Sequence, residues 1–169
     1  MYYQAIQQFA RSLKNLDGIL DKAIASAKKR NFDPNNFLSQ RLFPDMLPFT
    51  VQVRIACDNA KAAAALLSGK EAPKHEDNET TMDELRARIA KCLAYLETFK
   101  SSDFDKTSPD TLVRLANPAG KALTAEDYVW NRQVPNFYFH VSMAYALLRH
   151  GGVELSKSDY IGQLNLRDP

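Results

Sequence analysis

The segment PNFYFHVSMAYALL, residues 135–148, decides the fold because it is apolar on nearly every face of a helix. A helix with so little polar surface must be the central element of a bundle. Its two polar residues that can turn inward, Asn136 and His140, are four positions apart and therefore share one face. The segment predicts a helix over residues 135–150, ended by Gly151-Gly152.

Three further segments repeat apolar residues at steps of three and four, the spacing of one buried helical stripe. We expect these helices over residues 2–30, 45–68 and 82–99. Pro48 lies in the first turn of the second, where a missing N–H is tolerated. The third opens with a capping box, Thr81-Met-Asp-Glu84. Four apolar helical stripes, separated by capping residues and by Pro, Gly and Asn breaks, predict an all-α four-helix bundle.

The connection between the third and fourth helices is long and loses the helical period. Within it, residues 111–115 and 121–124 flank the turn Asn117-Pro-Ala-Gly120, which predicts a small hairpin-like insertion. A short helix carrying Tyr128 and Trp130 should follow. The insertion is long for a connection between two helices, and long loops are usually functional or lid-like.

Composition narrows the class of protein and its partners. The 169 residues are 45% hydrophobic and 25% charged with a net charge of +2, which is typical of one globular domain, residues 1–169. The basic residues are scattered, so we expect no nucleic-acid partner. The N-terminus lacks the charged and apolar regions of a signal peptide, and no stretch approaches the roughly 18 apolar residues that span a bilayer. We therefore expect a cytoplasmic protein with no membrane partner.

Few residues outside the fourth helix have the patterns of reactive sites. Cys57 and Cys92 fall on apolar helical stripes, so we expect buried, reduced and non-catalytic thiols. His75 lies among charges in the polar loop 70–79 and is predicted to be solvated. Phosphate loops, nucleophile elbows, Cys-x-x-Cys and His-Glu-x-x-His motifs are absent from the sequence.

The candidate site is therefore the inward face of the fourth helix around His140. Bundle cores hold metal and ligand sites between facing helices. Gln52, Arg54 or Asp58 of the second helix could face His140, although Arg54 and Asp58 could instead pair with each other. Trp130 could line the mouth of a pocket. One imidazole with amides is not a usual zinc or iron ligand set, so His140 is either a ligand-binding residue or a neutral, hydrogen-bonded core residue.

Three stretches together carry a resemblance that covers essentially the whole chain. They are LFPDMLPF at residues 42–49, the pattern Gln52-x-Arg54-x-x-x-Asp58-x-x-Lys61, and the fourth-helix segment through its terminal Arg-His-Gly-Gly. The chain resembles a bacterial and fungal family of unknown function. That family falls within the DinB/YfiT-like four-helix-bundle superfamily of proposed metalloenzymes.

The superfamily resemblance implies a metal site of three histidines, one early in the second helix and a His-x-x-x-His pair on the fourth. The pair falls on Asn136 and His140, and Gln52 is near the place of the remaining histidine. Since two of the three ligands are replaced, we expect a degenerate metal site and no cofactor. A divalent metal such as zinc or nickel is the alternative.

Three hypotheses follow for the function. The leading one is a metal-degenerate bundle protein that binds a small molecule through a polar pocket around His140, or acts as an accessory or stress protein. The alternative is a metal-dependent hydrolase or thiol-dependent transferase that uses His140. The third is a structural homodimer that packs through the alanine-rich face of the second helix and the long first helix.

Overall fold

A computed structural model describes residues 1–168 and confirms the mainly helical bundle. The helices are α1 (Tyr2–Lys29), α2 (Phe49–Ser68), α3 (Met82–Glu97), α4 (Ala125–Asp127), α5 (Val134–His150) and α6 (Lys157–Ile161). The four long ones, α1, α2, α3 and α5, form the bundle. None of the helices within residues 1–168 is both long enough and apolar enough to cross a membrane.

Helices α1 and α5 meet in the centre of the core. The predicted stripe of α1 is buried, with Phe9, Leu13 and Leu16 at most 1% exposed. Phe9 packs against Phe137 of α5 with ring centroids 4.5 Å apart, a favourable separation for an aromatic pair. The apolar segment 135–148 therefore forms a central helix of the bundle, as predicted.

Helix α2 begins at Phe49, so the prediction that it starts at residue 45 is wrong. The reason is Pro48, because the residue before a proline is pushed away from helical backbone angles. Pro48 itself is extended, with φ −70° and ψ 164°. The first free N–H groups of α2 are bound from outside the helix, Phe49 by the carbonyl of Gln40 and Thr50 by that of Leu38.

The alanine-rich part of α2 lies inside the bundle. Ala60, Ala63 and Ala64 are each 0% exposed. This face is used within the chain, so it does not supply the flat outer surface on which a homodimer was expected to form. Homodimerisation itself stays a prediction.

Two connections differ from ordinary helix–helix loops. Residues 70–80, called the strap below, have no regular secondary structure, and the predicted capping box Thr81–Glu84 ends them. Between α3 and α5, the strands β1 (Leu112–Arg114) and β2 (Ala122–Thr124) form the predicted hairpin, with Val113 opposite Leu123. A π-helical turn, Tyr128–Gln133, then leads directly into α5.

Two glycines should respond in opposite ways to substitution by alanine. Gly18 is an exposed residue of α1, and a Cβ there meets nothing within 4 Å. Gly18→Ala should therefore raise the free energy of unfolding by about 0.5–1 kcal/mol through helix propensity. Gly69 caps α2 with φ +73° and equal free space, so Gly69→Ala should lower it by about 1 kcal/mol. Urea unfolding measures both, and a change of the same sign in the two variants would contradict the helix assignments.

Candidate functional site

His140 lies between α5 and α2 and is 6% exposed. Its Nδ1 is 2.7 Å from Oε1 of Gln52. Gln52 donates from Nε2 to the carbonyl of Leu47 at 2.9 Å, which fixes the orientation of its amide. Oε1 is thus the acceptor that faces the ring, so Nδ1 of His140 carries the proton and donates. In the neutral ring Nε2 is then an acceptor.

The backbone before α2 makes this orientation possible. Because Pro48 keeps the preceding residues out of the helix, the carbonyl of Leu47 is left for Gln52 to bind. Burial also lowers the pKa of His140, which keeps the imidazole neutral near pH 7. The site around His140 is therefore uncharged.

A second level of amides, two buried and one half-buried, continues along the α2–α5 boundary. Asn136 donates from Nδ2 to Oδ1 of Asn59 at 3.0 Å. Gln133 donates from Nε2 to the carbonyl of Asn59 at 3.2 Å and to the hydroxyl of Tyr128 at 2.8 Å. Burial raises the pKa of Tyr128 to about 12, so its hydroxyl stays protonated. We call Gln52, Asn59, Gln133, Asn136 and His140 the amide seam.

A buried amide nitrogen of the amide seam has no hydrogen-bond partner. Nδ2 of Asn59 is buried and makes no hydrogen bond within residues 1–168. Asn59 as a whole is 7% exposed. An unsatisfied buried donor typically costs about 1–3 kcal/mol. Such a group is normally explained by a bound water, an ion or a functional role.

Sequence reasoning missed three residues of this arrangement. Asn59 follows Gln52 by seven positions and so lies on the same face of α2, which is a signal that could have found it. Gln133 and Tyr128 gave no such signal, because the π-helical turn changes the angular phase that a regular helix would give them. Trp130, which lies on that turn, is 41% exposed, and its role at a pocket mouth stays a prediction.

Arg54 and Asp58 each form ion pairs with other residues, on a side of α2 away from His140. This corrects the expectation that they face His140 or pair with each other. Arg54 Nε lies 2.6 Å from Oε2 of Glu79 in the strap. Asp58 binds Arg88 of α3 at 2.9 Å and Lys61 of α2 at 3.0 Å. Since positions two apart on a helix point about 200° apart, Gln52 and Arg54 cannot serve one site.

The charged cluster also corrects the prediction for His75. Its side chain is 11% exposed, and Nδ1 lies 3.4 Å from Nζ of Lys61. The ammonium donates and the ring nitrogen accepts, so His75 is neutral with its proton on Nε2. Burial, followed by the charges of Lys61 and Arg88, lowers the pKa of His75.

The two cysteines lie in the same core and are free and buried, as predicted. Cys92 donates from Sγ to the carbonyl of Cys57 at 3.4 Å. The hydrogen bond with Cys92 and burial together raise the pKa of the Cys57 thiol, which disfavours the reactive thiolate.

Comparison with known proteins places the chain in a family. A family model described as "Domain of unknown function (DUF1993)" matches residues 1–161. The chain belongs to the DUF1993 family. No curated protein matches it.

A solved structure supports the wider relationship of this DUF1993 chain. A crystal structure of a DinB family member protein from Shewanella denitrificans is 42% identical and superposes with a TM-score of 0.93. The match covers 99% of this chain and 95% of that chain. The predicted resemblance to an uncharacterised DinB-like family is thus confirmed.

The donors at the three positions implied by the superfamily do not fit a transition-metal site. Gln52 turns its amide oxygen to the His140 ring, and Asn136 turns its amide nitrogen to Asn59. Zinc and related ions take imidazole, thiolate or carboxylate ligands, usually three or more. Within residues 1–168 no three or more His, Cys, Asp or Glu side chains gather in a group that could hold a metal.

The two buried histidines predict how stability depends on pH. Because the folded pKa values of His75 and His140 lie below the ordinary value of 6.5, the unfolded chain binds more protons near that pH. The free energy of unfolding should fall as the pH drops through about 6.5 and level off below the folded pKa values. Urea unfolding at a series of pH values measures this.

The third histidine of the DUF1993 chain, His150, supplies the control. It is exposed at the end of α5. The double variant His75→Gln/His140→Gln should flatten the pH dependence in this window, while His150→Gln should retain it. A dependence that persists unchanged in the double variant would show that other groups cause it.

Proposed function

We propose that this protein binds a small uncharged molecule with a carboxamide group at the amide seam, with His140 as a hydrogen-bonding residue and no metal cofactor. The observation that carries the proposal is the unpaired Nδ2 of Asn59, a buried donor beside other neutral polar groups. A ligand acceptor, such as a carboxamide oxygen, would satisfy it.

The chemistry of the seam supports a neutral ligand. Each of its five side chains is uncharged, and burial keeps His140 neutral near pH 7. Burying an unpaired charge in such an environment is far more costly than burying a polar group that forms hydrogen bonds. Carboxylates, phosphates and amines are therefore poor candidates.

The available donor and acceptor support a carboxamide in particular. Asn59 offers the N–H of Nδ2, and His140 offers the lone pair of Nε2 because Nδ1 donates to Gln52. Asn136 connects the two levels, since it binds Asn59 and precedes His140 by one helical turn. A carboxamide carries both an acceptor oxygen and a donor N–H, which match this donor and this acceptor in kind.

The crossover is in contact with the amide seam through Arg132. Arg132 donates to Oε1 of Gln133 at 3.1 Å and to the carbonyl of Asn117 at 3.3 Å. This links the tip of the hairpin to a residue of the amide seam. A ligand that reorganises Gln133 would thus be sensed by the hairpin, in keeping with a lid-like crossover.

A pair of histidine variants tests the proposal. Formamide, acetamide and nicotinamide serve as probes, and the readouts are the unfolding temperature and the 15N shifts of the histidine rings. At least one probe should raise the unfolding temperature saturably and shift the His140 ring. His140→Asn should weaken that binding at least tenfold, about 1.4 kcal/mol, whereas His150→Asn, at the exposed end of α5, should not.

Two results would overturn it. Binding of no probe by the wild-type protein would mean that the seam holds only water, which can also satisfy Asn59. Equal binding by His140→Asn would mean that the probe lies elsewhere.

One observation favours the metalloenzyme as a second candidate. A histidine that ligates a metal commonly donates its other ring N–H to an oxygen, as His140 does to Gln52. Elemental analysis of protein purified without a metal-affinity tag separates the candidates. Stoichiometric zinc or nickel that survives dialysis against a chelator and is lost in His140→Asn would support the enzyme.

A further inference from the structure

Helices α2 and α3 present three cations to one region beside the strap. Arg54 and Lys61 come from α2, and Arg88 comes from α3; Lys61 and Arg88 are only 8% and 2% exposed. Of the residues they pair with, the helices themselves supply Asp58 alone. Without the strap, three buried or half-buried cations would face one carboxylate, a strongly unfavourable balance.

The strap supplies the missing negative charge through two side chains. Glu79 binds Arg54 at 2.6 Å and Arg88 at 2.9 Å, and Asp77 also binds Arg88. Although burial acts against it, hydrogen bonds from Arg88 and Arg54 hold the pKa of Glu79 below its usual range. Charge-assisted pairs of guanidinium and carboxylate are the contacts by which proteins recognise carboxylate ligands.

From residue 71 onward, the strap contacts the helices through side chains and not through backbone pairing. Within the described chain, residues 71–80 make no backbone–backbone hydrogen bond. Its apolar residues Ala72 and Pro73 are exposed, so no apolar contact of the core holds it. Asp77 has φ +55°, a backbone region that is uncommon for residues other than glycine. Besides the ion pairs, the strap is held by hydrogen bonds to its carbonyls, from Tyr95 to Glu71 at 3.0 Å and from Arg54 to Glu79 at 2.9 Å. A segment held by side-chain contacts alone opens at low free-energy cost compared with the bundle.

The cations are not saturated by the strap. Nε of Arg88 is buried and makes no hydrogen bond within residues 1–168. Arg88, His75 and Glu79 also line a groove of about 610 Å³ between the strap and α3. Its other lining residues include two lysines and two glutamates, Lys74, Lys91, Glu76 and Glu84. The groove gives a small solute access to Arg88 at its ion pair with Glu79.

We propose that Arg54, Lys61 and Arg88 form a binding site for a small dicarboxylate, and that Asp77 and Glu79 occupy it in the closed protein as an internal ligand. The dicarboxylate replaces both strap carboxylates and displaces the strap. This site is separate from the amide seam and lies on another side of α2. It takes an anionic ligand, whereas the seam takes an uncharged one. The attached strap competes at the millimolar effective concentration typical of a short tether, so the closed protein binds the ligand weakly.

Glutarate is the probe, with acetate at equal ionic strength as the control for non-specific anion effects. The double variant Asp77→Asn/Glu79→Gln removes the internal ligand and keeps the side-chain size. Glutarate should bind it at least tenfold more tightly than the wild type, measured by calorimetry and by the rise in unfolding temperature. In the wild type, saturating glutarate should speed tryptic cleavage after Lys74, which lies in the exposed part of the strap.

Matched variants keep the test decisive. Glu71→Gln neutralises an exposed strap carboxylate that does not line the groove and should leave glutarate affinity at the wild-type level. Adding Arg54→Gln to the Asp77/Glu79 variant should abolish the gain. If the Asp77→Asn/Glu79→Gln variant does not fold, Asp77→Asn alone should show a smaller gain in glutarate affinity.

The proposal is overturned by any of three results. These are no saturable glutarate binding by the strap variants, equal affinity in the wild type and the Asp77/Glu79 variant, or equal effects of acetate and glutarate.

Discussion

Helix α2 packs against α1, α3 and α5, and this burial is the constraint on which the rest of the structure depends. Of its 20 residues, 13 are buried, among them the polar Gln52, Asn59 and Lys61. A buried polar group without a partner costs roughly as much as a well-placed core side chain contributes. The buried polar side chains of α2 therefore favour partners from neighbouring elements, and those partners define the two polar regions.

The helical period divides these polar residues into two classes. Gln52 and Asn59 meet amides, a neutral imidazole and a backbone carbonyl on the α5 side, where every partner is uncharged. Arg54, Asp58 and Lys61 meet ions on the α3 side. Neutral groups can be satisfied by side chains of a packed helix, whereas charges need partners of opposite sign. For the charges of α2, the strap supplies one such partner and α3 supplies another.

The sequence predicts the parts of this structure that follow from regular periods. The stripes of α1 and α5, the capping box at Thr81 and the inward face of His140 each depend on spacing within one helix. The start of α2 was predicted too early because the extended backbone before Pro48 outweighed the helix pattern. The proximity of Gln133 to Asn59 depends on a π-helical turn that no regular period reveals.

The ion cluster shows a different limit of sequence reasoning. Segment 70–79 has the composition of a solvated loop. Nothing in the spacing of its charged residues indicates that Arg88 would bind Asp77 and Glu79. Such pairs form between elements distant along the chain, and their partners are chosen by packing. For the same reason His75, which has charged neighbours in sequence, has a mostly buried side chain against Lys61.

The tautomers of the two buried histidines test the division of α2 most directly. Long-range 1H–15N correlation spectra of histidine-labelled protein near pH 7 report which ring nitrogen carries the proton. The structure requires a neutral His140 with its proton on Nδ1, donated to Gln52, and a neutral His75 with its proton on Nε2, accepting from Lys61. A charged His140, or one protonated on Nε2 alone, would contradict the neutral seam and the account built on it.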